Sequence, residues 1–216
     1  MPANKVTLLR SDGLHILTNV SLFQLANDET LHGFAEGLVI KALSLIPQLD
    51  TAASTLAESL HHPGPQFGPL LTALLVLDAE VSAVIDDEPR VFPLPGFLSY
   101  RARLPLDKFP LNTMRLPPLN PDGHYWLKTG LNGFCCAVRL DLHPGQKVAG
   151  HVRLAVSSST RQPARLPAAE HRLDRHILEA DLIEEAVLAG SRALAEPLTD
   201  AERVALIDAL HEIMQD

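Results

Sequence analysis

Residues 55–81 read TLAESLHHPGPQFGPLLTALLVLDAEV, and the fold turns on how this stretch divides. From Leu70 to Leu77 it is almost unbroken hydrocarbon, and beyond Asp78 it changes to alternation. A run that is apolar on every side reads as a helix buried on all faces, whereas alternation reads as a strand. "LLTALLVL" is therefore expected as a buried helix and "AEVSAVI" as the strand that follows. The first part of the stretch lies where a glycine-rich turn would hold a phosphate ahead of such a core. Yet residues 55–59, Thr-Leu-Ala-Glu-Ser, contain no glycine.

Toward the N-terminus, KVTLLRSDGLHILTNV (5–20) presents two alternating runs about Asp12-Gly13, a dipeptide suited to tight hairpin turns. Ser21 and Gln24 have the spacing of a capping box at a helix start. A longer helix is expected next, with Leu31, Phe34, Leu38 and Ala42 on one stripe, ending before Pro47.

Beyond residue 81, "DDEP" reads as a turn and "RVFPL" as an edge strand limited by its prolines. "GFLSYRA" is too short to assign. PLNTMRLPPLNPDG (110–123) is rich in Pro and Asn and ends in a turn. A domain boundary is placed near residues 117 to 123, giving domains at 1–118 and 123–216.

The second half opens with a hairpin, GFCCAVRLDL and KVAGHVRLAV around the turn HPGQ, and closes with three helical segments. The last begins at a capping box, Thr199 to Glu202, with Val204, Ile207, Leu210 and Met214 expected on its buried face. Strands and helices are segregated in each half, so the fold class is α+β with antiparallel sheets.

A chain of 216 residues, 46% hydrophobic, holds one large or two small domains. A net charge of −8 with 18 Lys and Arg excludes a basic face for nucleic acid. No apolar run reaches the roughly 18–20 residues of a membrane helix, and no secretory signal is read at the N-terminus. Cys135 and Cys136 are adjacent, which suits neither a disulfide nor a metal site, and they read as structural thiols of a cytoplasmic protein.

Candidate chemistry is sparse. His61-His62 has no carboxylate or thiolate company, so no metal site is expected. Ser157 to Thr160 lack the strained elbow and base that a nucleophile requires, and read as turn chemistry. His124, Tyr125 and Trp126 have planar rings able to stack on a ligand, but aromatics entering a strand pack more often than they bind.

The order of segments carries more. "DGLHILTNVSLFQLAND", "PLLTALLVLDAEV", "RVFPLPGFLSYRARLPLDKFPLNTMRLPPL" and "HVRLAVSSSTRQPARLPAAEHRL" follow one another as in the FAD-binding (medium) subunits of molybdenum hydroxylases. That group includes the carbon monoxide dehydrogenase and xanthine dehydrogenase flavoproteins. The likeness runs from about residue 5 to 200, with Pro163, Arg165 and Glu170 on pattern positions. It implies a larger flavin subdomain followed by a C-terminal α+β domain. It also implies an oxidoreductase complex with separate molybdopterin and iron–sulfur subunits as partners.

The chain departs from that pattern where the pattern holds FAD. The family's first glycine-rich loop belongs to an N-terminal subdomain with no counterpart in this sequence. Its second, T-[IL]-G-G-N, aligns with Thr55, Leu56, Ala57, Glu58 and Ser59. Ala57 adds a Cβ, and Glu58 adds bulk and a negative charge, where glycine backbone would approach phosphate. An acidic residue is replaced at Gly68-Pro69, the glycine pair of the C-terminal domain by Ser157-Ser158, and the strand entry around Lys128-Thr129-Gly130 is shortened.

The resemblance with these departures implies a degenerate flavoprotein homologue, with no FAD in the isolated chain, acting as a structural or accessory subunit or as a homo-oligomer. Two alternatives stay open. One is a working FAD electron-transfer subunit completed by another chain, with Glu58 turned outward and Ser59 replacing the Asn. The other is a small-molecule enzyme using the vacated cleft through Tyr125, Trp126, His61 or His62. "LLTALLVL" is further expected to leave an apolar surface open to a partner.

Overall fold

The computed structural model describes residues 6–47, 49, 54–85, 88–101, 110–142 and 148–214. The first sheet is formed by β1 (Thr7–Arg10), β2 (Gly13–Leu17), β3 (Glu80–Ile85), β4 (Glu88–Pro93) and β5 (Leu111–Leu116), in the order β1-β2-β5-β3-β4. Every pairing is antiparallel. The expected first hairpin is present, with Arg10 opposite Gly13. Gly13 has φ +130, and a Cβ on it would lie 2.1 Å from the Leu116 carbonyl oxygen, so both conformation and space require glycine.

β5 supplies a strand in the stretch 110–123, where no strand is expected from sequence. LNTMRL is the middle strand of the sheet, flanked by β2 and β3. Its alternation is interrupted by a register shift at Ser82/Ala83, and prolines follow it immediately, so neither period nor boundaries mark it as a central strand.

Between β2 and β3 lie α1 (Leu22–Ala26), α2 (Glu29–Gly33), α3 (Leu38–Leu43), α4 (Leu56–His61) and α5 (Gly68–Val76). α1 opens with the expected capping box of Ser21 and Gln24. The expected single long helix is broken: α2 and α3 are separated by a turn at Phe34–Gly37. Within it Ala35 (φ 51), Glu36 (φ 53) and Gly37 (φ 71) are successive left-handed residues. That conformation costs an L-residue about 1–2 kcal/mol. Burial of Ala35 against the core helps to offset it.

The second sheet, β6 (Gly123–Thr129), β7 (Cys135–Leu142), β8 (Ala149–Ser157) and β9 (Ala164–Arg165), is ordered β6-β7-β8-β9. The β7–β8 pairing is as expected, while the turn HPGQ, and Asp86-Asp87 of "DDEP", lie outside the described residues. α6 (Leu94–Tyr100) follows β4, a segment left unassigned from sequence. α7 (Pro167–Leu173), α8 (Ala180–Ala193) and α9 (Asp200–Ile213) pack on the far face of the second sheet. α9 starts at the Thr199–Glu202 capping box. Its buried stripe is Leu206, Ala209, Leu210 and Ile213, while Val204 is 56% exposed, a shift from the expected face.

α5 joins the two halves. It is apolar all round and buried from Leu70 to Val76, because β7 and β8 cover one side while α3 and the first sheet's core close the other. The expected open apolar surface is therefore absent at this helix. Cys135 and Cys136 point to opposite faces of β7, and both faces are covered. Burial pushes both thiols up to about 12.

Candidate functional site

The segment 55–59 begins α4. Thr55 is its N-cap, and its Oγ1 accepts a bond from the Glu58 N–H at 3.2 Å. The other amides are equally committed. Leu56 N–H donates to Val20 O (3.0 Å), Ala57 N–H to Thr18 O (2.7 Å) and Ser59 N–H to Thr55 O (3.1 Å). The segment is thereby stitched to the chain between β2 and α1. A phosphate-holding turn works by aiming free backbone N–H groups at the anion, and Leu56 to Ser59 have none to aim. Ser59 is fully buried, with Oγ donating to Leu56 O at 2.8 Å, so it cannot reach a ligand. Glu58 faces solvent.

Ser157-Ser158 is closed in the same manner. Thr72 Oγ1 donates to Ser157 Oγ at 2.9 Å, and a Cβ on Gly68 would meet that oxygen at 2.9 Å. Gly68 is thus a packing glycine where the pattern has an acid. Ser158 N–H donates to Arg161 O and Ser159 N–H to Asn132 O. Arg161 is itself tied to the Glu196 and Pro197 carbonyls. The space between these turns and Pro63, Gly64 and Gly68 is about 40 Å³, enough for a few waters at most.

The remaining candidates do not converge. Tyr125 and Trp126 are neighbours on β6 and so face opposite sides. Tyr125 is buried in the core of the first half, while Trp126 packs with the second and donates Nε1 to Glu212 at 3.2 Å. His61 ends α4 with its ring 6.5 Å from that of Phe97. Among the described residues no group of three His, Cys, Asp or Glu side chains is arranged to hold a metal.

What the fold does assemble is an ionic seam. Asp78, at the end of α5 with φ 51, accepts from Arg153 Nε and Arg165 Nη1, each at 2.9 Å, and lies 3.7 Å from Arg139 Nη1. Arg165 also grips Glu170 with both Nε (2.5 Å) and Nη2 (2.6 Å), and Glu170 accepts the Leu154 N–H at 2.9 Å. Sequence reading marked Arg165 and Glu170 as pattern positions, but their link to Asp78 and to Arg139 and Arg153 was not visible in it. This cluster holds structure: every one of its acids is spoken for.

These sheets, helices and their order define a fold shared with chains of molybdenum-containing hydroxylases. The chain superposes on one from carbon monoxide dehydrogenase of Hydrogenophaga pseudoflava, in a form lacking the Mo-pyranopterin moiety of its cofactor. The TM-score is 0.79 at 17% identity, covering 98% of this chain and 78% of that one. Reconstituted CO dehydrogenase from Oligotropha carboxidovorans gives 0.76 at 15% identity (97% and 78% covered). Quinoline 2-oxidoreductase from Pseudomonas putida 86 gives 0.75 at 16% (97% and 77%). No protein-family model and no curated protein matches the sequence. The resemblance read in the sequence to flavoprotein-type subunits of these enzymes thus holds at the level of the fold.

Proposed function

We propose that this chain is a degenerate counterpart of the FAD subunit of molybdenum hydroxylases, which does not hold FAD by itself and acts as a structural or accessory component of an oxidoreductase assembly. The observation that carries this reading is the commitment of every N–H from Leu56 to Ser59 to acceptors within the protein. The space of about 40 Å³ beside Ser158 adds to it, since ligand pockets run to about 300–1,000 Å³. A flavin dinucleotide does not fit these residues as they are folded, and no electron-transfer step is assigned to them.

The partners implied are molybdopterin and iron–sulfur subunits, or a second copy of the chain. The reading as a working FAD subunit needs Glu58 to face outward, which it does, and Ser59 to bind ligand, which its burial prevents. The reading as an enzyme of the vacated cleft loses its aromatic pair, because Tyr125 and Trp126 face opposite sides. An absorbance scan of the purified chain, followed by titration with FAD, tests the proposal. The expected result is a colourless protein with no saturable binding, and a stoichiometric yellow complex would overturn it.

A further inference from the structure

A second cavity adjoins the far end of the Ser158 turn, where α6 faces the strand β9 and the start of α7. Its volume is about 410 Å³, within the range of small-molecule sites. Its walls are hydrocarbon from Leu75, Pro95, Leu98, Pro163 and Pro167. Two guanidinium groups line it, and they differ in kind. Arg165 is spent, since Asp78 and Glu170 take its donors.

Arg101 is not spent. Among the described residues its Nε is buried without an acceptor, and its one side-chain bond is a long 3.4 Å contact to Gln162 Oε1. Burial pulls its pKa down, and no carboxylate among the described residues pairs with it. A buried donor left unmade costs about 1–3 kcal/mol, and more for a charged group. The polar side chains of the lining are confined to Ser99, Gln162 and the two guanidinium groups, so water filling the cavity would rest mainly against hydrocarbon.

We infer that this cavity binds a small amphipathic monoanion, its hydrocarbon body against Leu98, Pro95 and the two prolines at 163 and 167, and its carboxylate on Arg101. It shares Gln162 and Pro163 with the small space beside Ser158, but none of residues 55–59 lines it. The chemistry selects a single negative charge and disfavours a doubly charged phosphate ester, because the second guanidinium on the wall, Arg165, is already held by Asp78 and Glu170.

The test is calorimetric titration of the full chain with naphthoate and with naphthamide, its neutral isostere. Saturable one-to-one binding of naphthoate is expected, at least about tenfold tighter than naphthamide. Arg101→Met is expected to bring the two ligands to equal affinity, and Leu98→Trp to abolish both by filling the space. Thermal unfolding of each variant confirms that it is folded, and Arg101→Gln serves should the Met variant not fold. No saturable binding of naphthoate to the unaltered chain would overturn the inference, and so would equal affinity for the two ligands. Both of those readouts need no variant. Unchanged preference for naphthoate in a folded Arg101 variant would overturn it as well.

Discussion

Arg165 of β9 donates Nη1 to Asp78 Oδ1 at 2.9 Å across 87 residues of sequence, while its Nε and Nη2 hold Glu170. One side chain thus ties the end of α5 to the second sheet and to α7. Asp78 is the only carboxylate that Arg139 and Arg153 face among the described residues. Replacing Asp78 by Asn keeps a residue that tolerates the left-handed backbone but leaves Arg139 and Arg153 without their counter-charge and Arg165 with Glu170 alone. A loss of about 2–4 kcal/mol is expected, somewhat below the figure of about 3–5 for a fully buried pair because Asp78 is partly exposed. Urea unfolding checks it, and a change under about 0.5 kcal/mol would show the seam to be ornamental.

The double change Ala57→Gly, Glu58→Gly is expected not to confer FAD binding. Removing two side chains clears space, but the amides of residues 56 and 57 stay bonded to Val20 and Thr18. Each glycine should cost at most about 1 kcal/mol of helix stability, so the variant stays folded. Flavin fluorescence followed during titration decides the point. Saturable quenching at micromolar FAD would mean that side-chain bulk, and not committed backbone, keeps the cofactor out.

Two glycine-to-alanine changes should have opposite signs. Gly13→Ala forces a Cβ to 2.1 Å from a backbone oxygen at φ +130, and about 2–4 kcal/mol of stability is expected to be lost. Gly96 lies inside α6 with nothing within 4 Å of its would-be Cβ. Ala there should stabilise by about 0.5–1 kcal/mol. Unfolding midpoints of the two variants measured side by side test both, and a shift of the same sign would contradict the turn geometry.

His61 should make stability depend on pH below neutrality. Burial first, and the charge of His62 second, pull its pKa below the ordinary 6.5. The unfolded chain therefore takes up this proton at a higher pH than the folded chain. The contribution of neutral His61 is complete above about pH 6.5 and is lost as the pH falls through the lower, folded-state value. Thermal unfolding of the parent and of His61→Gln, each near neutrality and near pH 5.5, provides the measurement. The variant should lose less stability on acidification, and identical losses would assign the dependence elsewhere.

Several elements were readable because their signals are local. The hairpin at Asp12-Gly13, the capping boxes at Ser21 and Thr199, and the all-apolar α5 each rest on contacts or periods within a few residues. β5 was missed because a strand paired on both sides need not announce itself when a bulge breaks its alternation and prolines crowd its end. The helix break at Ala35–Gly37 was missed because alanine and glutamate favour helix, and only packing holds them left-handed.

By itself the sequence determined the α+β class, the antiparallel hairpins and the want of glycine at residues 55–59, all of which depend on residue type and short-range period. Only the tertiary structure decided what covers α5, which acceptors take the amides of Leu56 to Ser59, and that Asp78, Arg165 and Glu170 form one network. Those depend on which distant segments become neighbours. A hydrogen bond or a buried face is defined by its partner, and the partner's position is a property of the folded chain.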